Sequence, residues 1–241
     1  MRENEFYLKN LIERIGGLFE IKHGDRKFVI ERPPYREHEY LKTIDKIEKT
    51  HYYVDGKKVF LREPTTAESI LAMTYDSDSV SELTLADWSC VRFGSIVRTP
   101  EGVFANPPRD ANGKHITNEN SLKALLNGAK KAEGIYLCEK DFGFAPYETF
   151  VLGRQEADCF VLGGLARVLE HEEKIANNLR KIISLNFHIK DSVEVYSFER
   201  VKEPVLGSFG MGSDFDLGIY WTVAYSKDWG GGFSWGVLNS S

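Results

Sequence analysis

Hydrophobic positions in the N-terminal third of the chain follow a helical period in some segments and a strand period in others. Apolar residues from Leu8 to Ile15 recur at i, i+3, i+4 and i+7, which predicts a helix that ends at Gly16-Gly17. Two apolar runs, over 18–21 and 27–30, flank a polar turn and predict a β-hairpin. A second helix is predicted over 37–49.

A second hairpin and a third helix are predicted next. The strands 51–54 and 57–61 surround Asp55-Gly56, a pair that tolerates the positive φ values of a two-residue type I′ turn. Thr65 and Glu68 then have the spacing of a capping box in front of an apolar run. This pattern predicts a helix that begins next to Thr65.

The order of elements between residues 81 and 141 predicts a compact sheet with one crossover. Apolar runs predict strands over 83–89, 92–98 and 102–106 as a three-stranded meander. A helical spacing then extends from Thr117, a predicted N-cap, to Gly134 and is followed by a strand over 135–139. A right-handed crossover through that helix places the last strand parallel to the first.

The remaining third of the chain predicts one long helix and several strands. The helix extends over 165–182 with a break near Gly163-Gly164, and strands follow at 193–201, 217–225 and 233–238. The predicted fold class is therefore α+β with a mixed β-sheet. Its two regions are an N-terminal helix and hairpin region, 1–80, and a core with a β-rich extension, 81–241.

Composition excludes several classes of protein. The chain has 241 residues, of which 42% are hydrophobic and 28% charged, so it is neither collagen-like nor disordered. The charged N-terminus is followed by no apolar signal region, and the most apolar stretch, 159–169, is too short to span a bilayer. We therefore expect a cytoplasmic protein with no membrane partner. The net charge of −5 gives no global attraction to nucleic acid.

The segment 83–141 resembles the ribonuclease-H-like superfamily, which includes Piwi-type and NurA-type nucleases. The resemblance rests on the order of three antiparallel strands, a helix and a parallel strand. It also rests on Asp87-Trp88-Ser89, which is similar to the Asp-x-Ser that opens the catalytic core in many of these enzymes. The resemblance implies a metal-dependent nuclease that hydrolyses phosphodiester bonds of DNA or RNA.

Carboxylates in this segment have the placement that the resemblance requires. It implies Asp87, Glu119 and Asp141 as catalytic residues, with Glu139 and Asp158 as further metal ligands. Carboxylates bind Mg²⁺ or Mn²⁺, and two such ions stabilise the attacking and leaving oxygens of a phosphodiester. The alternative is structural, with Asp87 in a turn, Glu119 favoured by a helix dipole and Asp141 at the start of a loop.

Basic residues near these carboxylates indicate a nucleic-acid partner. Five lysines are the candidates for contact with the phosphate backbone: Lys27, Lys57, Lys58, Lys130 and Lys131. Acidic residues are interspersed among them, so a solvated surface of mixed charge is the alternative interpretation.

The C-terminal third predicts a different function. Aromatic residues from Phe209 to Trp235 alternate with glycines in successive predicted hairpins. A sheet edge or face of this kind pairs with another subunit. The second hypothesis is therefore a non-enzymatic assembly or binding module that forms a homo-oligomer and needs no metal.

Overall fold

The computed structural model describes residues 18–24, 26–31, 35–37, 40–54, 57–75, 90–185, 192–213, 217–223, 232–234 and 236–238. Six α-helices lie in these ranges: α1 (Tyr40–Lys49), α2 (Thr66–Tyr75), α3 (Glu119–Ala124), α4 (Ala157–Leu162), α5 (Gly164–Glu170) and α6 (Asn177–Leu185). A short 3₁₀-helix covers Tyr147–Thr149.

Sixteen strands are present in the same ranges. Those before residue 100 are β1 (Leu18–His23), β2 (Arg26–Glu31), β3 (Tyr35–Glu37), β4 (His51–Val54), β5 (Lys57–Arg62) and β6 (Cys90–Arg98). The middle of the chain forms β7 (Gly102–Ala105), β8 (Lys130–Ala132), β9 (Ile135–Leu137), β10 (Gly143–Pro146) and β11 (Gly153–Glu156). The remainder are β12 (Ser192–Tyr196), β13 (Val205–Ser213), β14 (Leu217–Val223), β15 (Gly232–Ser234) and β16 (Val237–Leu238).

A five-stranded antiparallel sheet forms from distant parts of the chain. Its order is β1-β2-β16-β5-β4, so β16 fills the space between two N-terminal hairpins. Val237 pairs with Ile30 on one side and with Arg62 on the other. Apolar side chains of this sheet and of α1, including Val29, Ile47, Leu61 and Leu238, pack together. We call it the small sheet.

The large sheet is mixed. Its main path is β11-β12-β14-β13-β6-β7-β10-β9-β8, and β15 and β3 extend it beside β6. The pairs β12–β14 and β15–β6 are parallel, and the other pairs are antiparallel. Helices α2, α4, α5 and α6 contribute to the main core, together with side chains such as Phe93, Phe209 and Ile219. The fold is therefore mostly sheet, of the α+β class.

Both predicted N-terminal hairpins are confirmed. Leu18 lies opposite Glu31 in the first, which β1 and β2 form, and His51 lies opposite Phe60 in the second, which β4 and β5 form. The predicted turn residues of the second hairpin, Asp55 and Gly56, lie outside the described residues. The pairing of the strands is thus confirmed, and the type of the turn stays a prediction.

The capping box before α2 is also confirmed. The Thr65 backbone N–H donates to Glu68 Oε2 at 2.9 Å, and the Glu68 N–H donates to Thr65 Oγ1 at 3.1 Å. The reciprocal bonds satisfy two backbone donors that a helix N-terminus leaves without partners. They fix the conformation of Thr65 at the start of α2.

The ribonuclease-H-like core predicted for 83–141 is wrong. The predicted first strand, including Asp87, lies outside the described residues, while β6 and β7 form as expected. The final strand of the predicted core, β9, lies antiparallel between β8 and β10 and pairs with neither β6 nor β7. The crossover to a parallel strand, which defines the predicted topology, is therefore absent from 90–141.

The physical reason lies in the turns. The predicted helix from Thr117 to Gly134 is only six residues long, and Asn118 rather than Thr117 caps it through a bond from the Ser121 N–H. Glu133 and Gly134 both have positive φ and connect β8 to β9 in a two-residue turn. Such a turn joins antiparallel strands, whereas a parallel connection needs a dozen residues or more.

The long helix predicted over 165–182 is interrupted. The expected break near Gly163-Gly164 separates α4 from α5. A second break, which the apolar spacing did not predict, follows at His171, whose φ is 59° and whose left-handed backbone ends α5. Glu170 then accepts bonds from the N–H groups of Asn178 and Leu179 and so fixes the first turn of α6.

The aromatic and glycine-rich strands β13 and β14 lie inside the large sheet. Strand β13 pairs with β6 and β14, and β14 pairs with β12 and β13, so both edges of each strand are already hydrogen-bonded. Phe209 is completely buried against Phe93, with ring centroids 4.8 Å apart. Self-association through these strands stays a prediction.

The predicted boundary between two regions and the expectation about membrane spans have different outcomes. The boundary at residues 80 and 81 stays a prediction, although β16 and β15 pair with strands that precede it. None of the helices in the described ranges combines the length and apolarity needed to cross a membrane.

Candidate ligand-binding site

The structure places the predicted carboxylates in separate local environments. Asp87 lies outside the described residues. Glu119 is in the first turn of α3, and its Oε1 lies 3.3 Å from Lys123 Nζ. Asp158 lies 2.7 Å from Arg180 Nη2, and both of these side chains are mostly exposed.

Asp141 has a structural role. Its carboxylate receives two contacts from Arg26, at 2.9 and 3.0 Å, and one from Thr65 Oγ1 at 2.6 Å. Glu139 is close in sequence but exposed. Nowhere in the described ranges do three or more His, Cys, Asp or Glu side chains form a group that could hold a metal ion. The description of the protein as metal-binding is therefore wrong for the described residues. The Mg²⁺ or Mn²⁺ cofactor stays a prediction of the sequence.

The predicted nucleic-acid-binding lysines lie in different strands. Lys27 in β2 pairs with Glu20 at 3.0 Å, and Lys58 in β5 lies 4.6 Å from the centroid of the Phe60 ring. Lys130 in β8 forms an ion pair with Glu173, and Lys131 lies 5.2 Å from the Tyr136 ring centroid. Of Lys57 only the backbone is described. Nucleic-acid binding and nuclease activity stay predictions of the sequence, and these contacts give them no support.

A cavity of about 650 Å³ lies where the end of β5, the loop 106–116 and the β9–β10 turn meet. We call it the polar cavity. Its walls carry charged and amide side chains beside apolar ones, including Glu48, Arg62, Glu63, Thr65, Ser95, Asn106, Pro108, Arg109, His115, Leu125, Asn127, Cys138, Glu139, Lys140 and Phe142. Its volume lies in the range of small-molecule sites.

A network around Glu63 forms the inner wall of the polar cavity. Ser95 Oγ donates to Glu63 Oε1 at 2.6 Å, and His115 Nε2 lies 3.0 Å from Glu63 Oε2. Arg109 Nη2 approaches Glu63 Oε2 at 2.8 Å and Glu48 Oε1 at 2.7 Å. The two carboxylates therefore share one guanidinium, which joins α1, the end of β5 and the loop 106–116.

The protonation state of His115 follows from these contacts. Burial opposes the charged form, but the hydrogen bond and negative charge of Glu63 and the Pro107 carbonyl outweigh burial, so the pKa of His115 is raised. Protonated His115 donates from Nδ1 to Pro107 O at 2.9 Å and from Nε2 to Glu63. An imidazolium in this position pairs with Glu63.

Ser95 and His115 do not form a nucleophilic pair. Ser95 Oγ lies 3.1 Å from His115 Nε2, but Glu63 occupies that same ring nitrogen, and Ser95 is 2% exposed. A hydrolase triad instead places the acid on the other ring nitrogen and exposes the hydroxyl to substrate. The network therefore shapes the cavity wall and supplies no activated serine.

Glu48, the second carboxylate that Arg109 contacts, is affected mainly by its burial. Desolvation is the main cause that raises the pKa of Glu48, and the charge of Glu63 adds to it, while Arg109 opposes the shift. A carboxylate of this kind gains from additional positive charge or hydrogen-bond donors nearby.

The β9–β10 turn also lines the polar cavity. Lys140 and Asp141 have φ values of 56° and 60°, and the Phe142 N–H donates to the Glu139 carbonyl, as in a type I′ turn. Glycine and asparagine are common at such positions, because a left-handed backbone strains them less than it strains a lysine. The bonds from Arg26 and Thr65 to Asp141 hold the turn in place.

Glu63, Arg109 and His115 were not predicted as site residues from the sequence. One signal was available, since the loop from Pro107 to Ile116 is long and polar, and long loops without secondary structure in compact domains are often functional. Periodicity gives no information about which distant carboxylate such a loop contacts.

Comparison with known proteins gives one weak likeness and no family. Neither a family model nor a curated protein matches the chain. A solved structure described by the words "Accommodation of massive sequence variation in Nanoarchaeota by the C-type lectin fold" is 10% identical, covers 86% of this chain and 99% of its own, and has a TM-score of 0.47. Nothing in these comparisons supports the resemblance to ribonuclease-H-like nucleases.

Proposed function

We propose that this protein binds a small polar organic molecule in the polar cavity. The observation that carries the proposal is the prearranged network of Ser95, His115 and Arg109 around Glu63, which lines a cavity of about 650 Å³. Binding sites of this size combine apolar walls with a few fixed polar groups that orient the ligand.

The walls supply both kinds of group. Leu125, Pro108 and Phe142 are apolar, while Asn127, Glu139 and Lys140 add polar atoms. Because the charged side chains of the network already have partners, the cavity keeps its shape without a ligand. A ligand therefore meets a preorganised site, which lowers the entropy cost of binding.

The test is a titration with three chemically different probes: glycyl-leucine, a neutral disaccharide and adenosine monophosphate. Calorimetry measures affinity for the wild type and for two neighbouring variants. Leu125→Trp introduces an indole beside the polar cavity, whereas Ala124→Trp introduces the same group beside a second cavity lined by Ala124, Lys131 and Tyr136. Both positions are exposed, so neither variant disrupts the core.

We expect Leu125→Trp to weaken binding at least about tenfold and Ala124→Trp to leave it unchanged. A second readout uses the thiols, because Cys138 lines the polar cavity and Cys159 lies outside it. Bound ligand slows iodoacetamide labelling of Cys138 alone, as mass spectrometry of the peptides reports. The proposal is overturned when no probe binds, or when a bound probe neither protects Cys138 nor responds to Leu125→Trp.

A further inference from the structure

The two arginines that line the polar cavity, Arg62 and Arg109, are already paired with carboxylates. Arg62 makes a bidentate contact with Glu68, at 2.6 and 2.7 Å, and Arg109 is shared between Glu48 and Glu63. A ligand that displaced one of these contacts would leave a partly buried charge without a partner, which is costly. These paired groups therefore set the shape and polarity of the cavity and are not the main ligand contacts.

Three further side chains of the polar cavity are available to a ligand. Asn127, Glu139 and Lys140 are exposed, line the polar cavity, and make no side-chain hydrogen bond or ion pair with any residue that the structure describes. They provide one amide, one carboxylate and one ammonium. The carboxylate and the ammonium have opposite charges, so this part of the cavity is complementary to a ligand that carries both a positive and a negative charge.

The β9–β10 turn fixes the backbone from which Glu139 and Lys140 extend. Lys140 keeps a left-handed conformation, with a φ of 56°, in a turn that glycine would form with less strain. Asp141 holds that turn through its bonds to Arg26 and Thr65. Strain that the surrounding structure maintains is common at ligand-binding positions.

We propose that the ligand is a short zwitterionic peptide, with its carboxylate bound by Lys140 and its ammonium by Glu139. This inference rests on the ligand-binding function proposed above. Asn127 contributes an amide that can donate to and accept from a peptide bond. Apolar contact for a side chain comes from Leu125, Pro108 and Phe142.

The experiment varies the charges of ligand and protein together. Calorimetry compares glycyl-leucine with its C-terminal amide, which lacks the carboxylate, and with its N-acetyl derivative, which lacks the ammonium. Each is titrated into wild type, Lys140→Gln and Glu139→Gln. The matched controls are Lys131→Gln and Glu148→Gln, which remove the same charges from exposed residues of the second cavity.

We expect Lys140→Gln to weaken binding of glycyl-leucine about three- to tenfold and to leave the already weaker amide unchanged. We expect Glu139→Gln to weaken binding of glycyl-leucine by a similar factor, because this variant lacks the partner of the ligand's ammonium. Binding of the N-acetyl derivative, which has no ammonium, is unchanged. Neither control variant changes affinity.

Failure of this inference is distinguishable from failure of the proposed function. The peptide assignment is overturned when the disaccharide or adenosine monophosphate binds in the polar cavity and glycyl-leucine does not. It is also overturned when glycyl-leucine binds to Lys140→Gln and to Glu139→Gln as tightly as it binds to the wild type. Those results leave the ligand-binding function in place. Absence of binding by all three probes overturns both.

Discussion

Arg26 and Asp141 form a bidentate pair, with Nη1 3.0 Å from Oδ2 and Nη2 2.9 Å from Oδ1. Arg26 belongs to β2 of the small sheet, whereas Asp141 lies in the turn between β9 and β10 of the large sheet. Thr65 adds a third bond to the same carboxylate. A single aspartate therefore connects the two sheets and the start of α2 beside the polar cavity.

Removal of the guanidinium tests the strength of this connection. We expect Arg26→Ala to lower the free energy of unfolding by about 1–2 kcal/mol, since the pair is bidentate and only partly exposed. The control is Lys49→Ala, which breaks the exposed pair between Lys49 and Asp45 and costs less than about 0.5 kcal/mol. Urea unfolding measures both. Equal losses for the two variants would contradict the proposed difference.

The stability of the fold depends on the protonation of His115. The pKa of His115 is raised in the folded protein above the value of about 6.5 in the unfolded chain. The resulting stabilisation is therefore fully present below about pH 6.5 and disappears as the pH rises through the folded pKa.

Urea unfolding between about pH 5.5 and pH 9 compares wild type with His115→Gln, which cannot carry the charge. The difference in unfolding free energy between the two proteins is expected to be greatest at the acidic end and to decrease with rising pH. If this difference stayed constant or grew as the pH rises, the ion pair between protonated His115 and Glu63 would not be a source of the fold's stability.

The strained turn predicts a stabilising substitution. Lys140→Gly removes the side chain that opposes a φ of 56°, and we expect a gain of about 0.5–1 kcal/mol in unfolding free energy. Lys140→Ala also removes the ammonium but keeps the strained Cβ, so it gives no such gain. Thermal unfolding distinguishes the two variants. If Lys140→Ala gave a stability gain of the same size, the loss of the ammonium charge would explain the effect and relief of backbone strain would not.

Glu170 is a buried acceptor for the first turn of α6. It is 3% exposed, and its oxygens accept bonds from the Asn178 and Leu179 N–H groups at 2.8 and 2.9 Å. Glu170→Ala leaves these donors without a partner and is expected to cost about 2–4 kcal/mol. Glu170→Gln keeps one oxygen acceptor and is expected to cost less. Chemical denaturation ranks the two variants, and the reverse order would contradict this role.

Short-range features of the fold could be predicted from the sequence. The hairpin of β4 and β5 and the Thr65–Glu68 capping box each involve residues that are close together along the chain. Local hydrogen bonding and periodicity determine such elements almost without help from the rest of the chain.

The long-range arrangement could not be predicted in the same way. Apolar residues between Thr117 and Gly134 do recur with a helical spacing. However, Gly128 and Gly134 adopt positive φ, and the second half of this segment forms β8. Tertiary pairing overrides such a weak preference. The site was missed for a related reason, because Glu63, His115 and Arg109 are up to 52 residues apart and meet only in the folded chain.

Strand β16 places a constraint on folding during synthesis. Its two partners, β2 and β5, are complete by residue 62, whereas β16 begins at Val237. At ribosomal speeds of about 5–20 residues per second, roughly 9–35 s separate these events. During that interval the facing edges of both hairpins have no strand between them and are open to pairing with other nascent chains. Both edges close only when β16 inserts between β2 and β5, so we expect chaperones to bind the nascent chain until that strand has paired.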